Sequence, residues 1–115
     1  MKLSGKTTKP LLKGTAPLSK QETEALQREV PLWSLGEGTI ERELHFQDFP
    51  TAMEFVNRVA QLAHEQDHHP DLFISYNTVR LTLSTHKIHG LSMNDFIVAA
   101  KIDLIAEQRQ SGRAA

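Results

Sequence analysis

Residues 39–46 read TIERELHF, and their strict alternation constrains the fold more than any other feature. Side chains on a strand point to opposite faces in turn, so Ile40, Leu44 and Phe46 share one face with Arg42. Glu41, Glu43 and His45 take the other. Such a strand is half buried, in a sheet with one face toward a core and one toward water. The same alternation returns at 78–85, where Val79, Leu81 and Leu83 interleave with Arg80, Thr82 and Ser84. Residues 72–75 form a further strand, joined to it by a tight turn at Tyr76-Asn77, and residues 33–35 form a short one before Gly36-Glu37-Gly38. His45 falls on the solvated face.

Three helices complete the pattern. Ser19-Lys-Gln-Glu22 is a capping box that opens a helix to about Glu29, stopped by Pro31. Asp48 and Pro50 start a second, whose stripe of Ala52, Met53, Val56, Val59, Ala60 and Ala63 runs to about Gln66. Pro70 cannot continue it. Ser92-Met-Asn-Asp95 is another capping box, opening a third helix to about Arg109. The expected fold class is α+β: a four-stranded antiparallel sheet with helices packed on one face, in the order α-β-β-α-β-β-α.

The 115 residues suit one domain at 18–110, with a tail at 111–115. Residues 1–17 hold Lys2, Lys6, Lys9 and Lys13 with no acid, and with their Gly, Thr and Pro they are expected to form a flexible basic tail. From residue 21 onward there are 8 basic and 14 acidic side chains. The alternative for the tail is an arm that docks on an acidic partner. No aromatics interleave with the lysines, so nucleic acid is a poor fit. The chain has no cysteine, hence no disulfide and no thiolate nucleophile. No long apolar run marks a membrane span, and no apolar leader marks secretion, which together suit a cytoplasmic protein.

The remaining signals centre on residues 64–70. His64-Glu-Gln-Asp-His68 is a literal H-E-x-x-H, in which two histidines four apart share a helical face and hold zinc while the Glu activates water. Three features weigh against it. Pro70 follows the second His at once, no acid stands between Asp71 and Asp95 to complete the ligand set, and the chain is short for a protease cleft. Histidines near helix ends also occur simply because their charge complements the dipole there. Two adjacent histidines before a proline, with His86 at the end of a strand, are compatible either with a histidine-based site or with scattered surface residues.

The ordered set His64-x-x-x-His68-His69-Pro70, Tyr76, His86, Asp95 resembles the signature of the pterin-4a-carbinolamine dehydratases. The neighbouring strings LHFQDF, YNTVRLTLSTH and GLS..D are similar to that family as well, so the likeness runs from about Leu18 to Glu107. It implies a metal-free and cofactor-free hydro-lyase that removes water from 4a-hydroxytetrahydropterin to give the quinonoid dihydropterin. It implies His68 and His86 as the acid/base pair, His69 as the residue orienting the pterin, and Asp95 as the acid bonded to His86. Pro70, Ser84 and Thr85 would line the pocket, with Trp33 near its mouth. His64 joins the substrate side, although the acid of the animal enzymes stands one residue on, at Glu65. The family also implies a homodimer or homotetramer. A strand such as 39–46, if left at an edge, would invite pairing with a second chain, and a second apolar face on the last helix (Ile97, Val98, Ile102, Ile105) points to an oligomer too. Other members bind proteins instead, as a transcriptional coactivator or as Rubisco assembly factors, and the basic tail keeps a protein partner open.

Overall fold

The computed structural model describes residues 2–113, with side chains through residue 108. The elements follow the expected order: α1 (Lys20–Gln27), β1 (Ser34–Leu35), β2 (Ile40–His45), α2 (Phe49–Gln66), β3 (Asp71–Ser75), β4 (Thr78–Leu83) and α3 (Met93–Arg113). Short 3-10 turns lie at Leu3–Gly5 and His86–Ile88. The proposed C-terminal tail is thus still helical at residues 111–113, and 114–115 lie outside the described residues.

The four strands make one antiparallel sheet in the order β1-β2-β4-β3. Register sets its two faces. Ile40 pairs with Leu83, Arg42 with Leu81 and Leu44 with Val79, and Leu72 and Ile74 continue the row on β3. That row turns to the helices, and Ile40, Leu44, Val79, Leu81 and Leu83 are buried. Glu41, Glu43, His45, Arg80 and Phe73 point to solvent, where the Arg80 guanidinium lies 4.5 Å over the Phe73 ring. Helix α2 buries Ala52, Phe55, Val56, Val59 and Ala63 against this layer and α3. Phe55 thus joins the expected stripe, while Ala60 faces out.

Three expectations change. Residues 39–46 are not an edge: β2 is sandwiched between β1 and β4, and the long free edge is β3. The supposed second apolar face of α3 is largely covered within one chain, with Ile97, Val98 and Ile102 buried and Ile105 half-buried, and the turn at Leu3–Gly5 packs on α3. And residues 2–17, though nearly devoid of regular structure, do not stand free of the domain. Leu3 is buried in the core, Lys101 Nζ donates to the Ser4 carbonyl, and Leu18 N–H donates to the Leu91 carbonyl. The signal was one leucine without periodicity, which patterning cannot register.

Candidate active site

Helix α2 ends in a way the sequence did not announce. Asp67 takes a left-handed conformation (φ 50°, ψ 43°), and its N–H reaches back to the Ala63 and His64 carbonyls. A residue with a β-carbon pays about 1 kcal/mol for that geometry, so Gly is the common choice there. The cap turns the chain sharply, and His68 N–H donates to the Ala63 carbonyl. His68 therefore stands beyond the helix, and the H-E-x-x-H spacing does not place His64 and His68 on one helical face. Among the described residues no three His, Asp or Glu side chains form a group able to hold a metal ion.

What the turn does achieve is contact with α3. His68 Nε2 lies 2.6 Å from Asp95 Oδ1, with the imidazole 12% and the carboxylate 0% exposed. Asp95 Oδ2 accepts from the Ser92 N–H (3.0 Å) and from Thr85 Oγ1 (2.7 Å). The first of these bonds is the carboxylate half of the expected capping box. The Ser92 hydroxyl pairs with Thr85 Oγ1 at 2.7 Å. One buried carboxylate thus caps α3, holds the end of the β4 connection and orients an imidazole. With Nε2 paired to the carboxylate, Nδ1 is the ring nitrogen left for other partners.

This corrects the expected pairing: Asp95 bonds His68, not His86. β4 stops at Leu83, not Thr85, and Thr85 then bridges to Gly90 with its N–H on the Gly90 carbonyl (2.9 Å). The loop so closed carries His86 on a 3-10 turn pinned by buried Ile88, where the imidazole is exposed on the cleft side.

The cleft holds ≈ 420 Å³ and is lined by His68, His69 and His86 together with Ser84 and Thr85. That size suits a small ligand. Three other expected residues lie elsewhere. His64 is exposed on α2, and Pro70 is half-buried just past the cleft wall. Trp33 is fully buried, its indole N–H donating to Asp103 Oδ1 at 2.8 Å. That carboxylate also pairs with Arg42, which explains how an arginine sits on the core face of β2. Burial pushes the Asp103 carboxyl above its ordinary value, against the lowering effect of Trp33 and Arg42, and the nearby Glu107 charge adds to the rise.

The cleft also contains residues that the sequence left unmarked: Thr8 and Lys9 from the N-terminal segment, Gln66, Lys87 and Asn94. Asn94 hides inside a capping box and Gln66 at a helix end, places where polar residues need no further explanation.

Fold and cleft together define a small one-sided α+β domain with a histidine-lined, carboxylate-backed site. A family model described as Pterin 4 alpha carbinolamine dehydratase matches residues 16–105. A Halorhodospira halophila protein, provisionally named pterin-4-alpha-carbinolamine dehydratase, is 43% identical over 107 residues, covering 91% of this chain and 98% of its own. A Nitrosomonas eutropha protein of the same provisional name is 42% identical over 104 residues, covering 90% and 92%. The crystal structure of a transcriptional coactivator/pterin dehydratase from Brucella melitensis superposes with a TM-score of 0.75 at 36% identity, covering 78% of this chain and 98% of that one. A pterin dehydratase-like RuBisCO assembly factor of the alpha-carboxysome shares the fold alone, with a TM-score of 0.56 at 21% identity over 64% and 88%. The chain belongs to the pterin-4a-carbinolamine dehydratase family.

Proposed function

We propose that this chain is a 4a-hydroxytetrahydropterin dehydratase that works by histidine acid/base catalysis. The observation that carries the reading is the meeting of His68, His69 and His86 in one cleft, with a buried carboxylate fixed behind His68. In the reaction the bond from C4a to its hydroxyl oxygen breaks, and the electron pair leaves on oxygen. That oxygen takes a proton from an acid and departs as water. The adjacent ring nitrogen gives its proton to a base, and its electron pair closes the C=N bond of the quinonoid dihydropterin. Imidazole serves as acid or base near neutral pH. His68 and His86 sit on different segments of the chain and can reach different parts of a flat ring, while His69 orients it.

We place the protein in the cytoplasm as a homodimer or homotetramer. No helix among the described residues is long and apolar enough to cross a membrane. The free β3 edge, with half-exposed Phe73 and Leu72, is suited to pairing with a second copy. A second reading, in which the chain serves as a protein-binding member of the family, draws on one observation. The N-terminal segment docks mostly through backbone groups and leaves Lys2, Lys9 and Lys13 exposed for an acidic partner.

The test is dehydration of freshly generated 4a-hydroxytetrahydropterin, with chelator present, by wild type and His86→Ala. The expected result is a rate well above buffer that His86→Ala lowers about ten-fold or more. A wild-type rate equal to buffer refutes the activity and leaves the protein-binding reading.

A further inference from the structure

We propose that residues 7–11 form a substrate-contacting wall of the cleft, and that Gln66, Asn94 and Lys87 are positioning residues that hold it there. The inference rests on the dehydratase reading. The family match begins at residue 16, so this wall comes from outside the matched part of the chain. Yet all five residues line the same cleft as the three histidines.

The manner of attachment points to more than a passing strand. Thr8 N–H donates to Gln66 Oε1 at 3.1 Å, and Thr8 Oγ1 donates to the Gln66 carbonyl. Lys9 exchanges two bonds with the Asn94 amide: its N–H donates to Oδ1 at 3.0 Å, and its carbonyl accepts from Nδ2 at 2.7 Å. Lys87 Nζ donates to the Leu11 carbonyl at 2.9 Å. Each anchor is next to, or two residues from, a group with a proposed chemical role. Gln66 precedes His68 by two, Asn94 precedes Asp95, and Lys87 follows His86. The strap therefore ties together the three segments that carry the acid/base groups: the end of α2, the 3-10 turn after β4 and the start of α3. A side-chain amide that pairs both backbone groups of one residue fixes that residue's register, as a strand partner would.

Leu3 remains the core anchor outside this stretch, so the strap can be altered without opening the core. The test compares wild type with a chain in which residues 7–11 are replaced by Gly-Ser-Gly-Ser-Gly, and with Thr8→Val/Gln66→Ala, using 4a-hydroxytetrahydropterin as substrate. The expected result is a KM raised about ten-fold in the replacement and several-fold in the double variant, with kcat changed less than KM. Mere loss of stability would lower the active fraction and so the apparent kcat, leaving KM in place. Wild-type activity with KM within about two-fold in both variants overturns the inference alone. No wild-type activity overturns the function, and the inference with it.

Discussion

Replacing Asp95 by Asn tests the site most directly, because shape is kept and only the charge and one acceptor are lost. The carboxylate now receives three donors, two on Oδ2 and one on Oδ1. In the amide, Oδ1 can take the Ser92 N–H and the Thr85 hydroxyl, which leaves Nδ2 facing His68. Two donors cannot share that 2.6 Å contact, so His68 must move its proton from Nε2 to Nδ1 and accept from the amide. All three hydrogen bonds survive, but each loses its charge assistance, worth about 1 kcal/mol apiece. Relief from burying a charge offsets part of that, and the net cost is about 1–2 kcal/mol, which a domain of this size tolerates. The chemistry suffers more. The nitrogen facing the cleft becomes a fixed donor and can no longer take a proton. Since His69 and His86 line the same cleft and are not held by Asp95, we expect a fall in kcat on the order of 10²-fold, the lower end for positioned acid/base groups. Long-range proton–nitrogen correlation of the His68 ring reads the tautomer, and stopped-flow dehydration reads kcat. A flipped tautomer with kcat within about three-fold of wild type would refute the role given to His68.

Two further outcomes follow from the geometry. Tyr76 is the first residue of the β3–β4 turn, has φ 52° and is 65% exposed; Tyr76→Gly should raise stability to urea by about 0.5–1 kcal/mol, and a loss would show that the ring packs usefully. Burial raises the Asp103 carboxyl, so the folded chain binds this proton at higher pH than the unfolded chain and gains stability from it as pH falls through that window. Relative to Asp103→Asn, the wild type should therefore gain in urea unfolding between pH 7 and pH 4, and a gap that moves the other way would refute the assignment.

Much of this was legible because alternation and helical stripes are local. TIERELHF, the YN turn and the two capping boxes located their elements, and the resemblance to the dehydratase signature picked out His68, His69 and His86, which line one cleft. What stayed hidden depends on contacts between distant residues. Nothing in 39–46 says that it pairs on both sides, because a central and an edge strand with one wet face alternate alike. Asp67 in a left-handed cap is unannounced, since Gly is the usual signal, and without the cap His68 looks like the end of a helix. Family likeness puts Trp33 near the pocket mouth, but its partner Asp103 lies 70 residues away and draws it into the core. The docking of residues 2–11 rests mostly on backbone groups, which every sequence has, with the Leu3 side chain and the Thr8 hydroxyl added.

The strand order has a further consequence, for how the chain reaches this fold. Each hairpin forms from neighbours, but the central seam joins β2 to β4, whose paired residues lie 33 to 43 positions apart. Closing a loop of that length costs entropy before any contact repays it. That loop contains α2, so a formed helix leaves less flexible chain for the seam to close. Neither hairpin buries its apolar face alone, so the two halves of the molecule become native together. The cleft inherits that dependence: His68 leaves the first half at the end of α2, and the carboxylate that orients it arrives with the second.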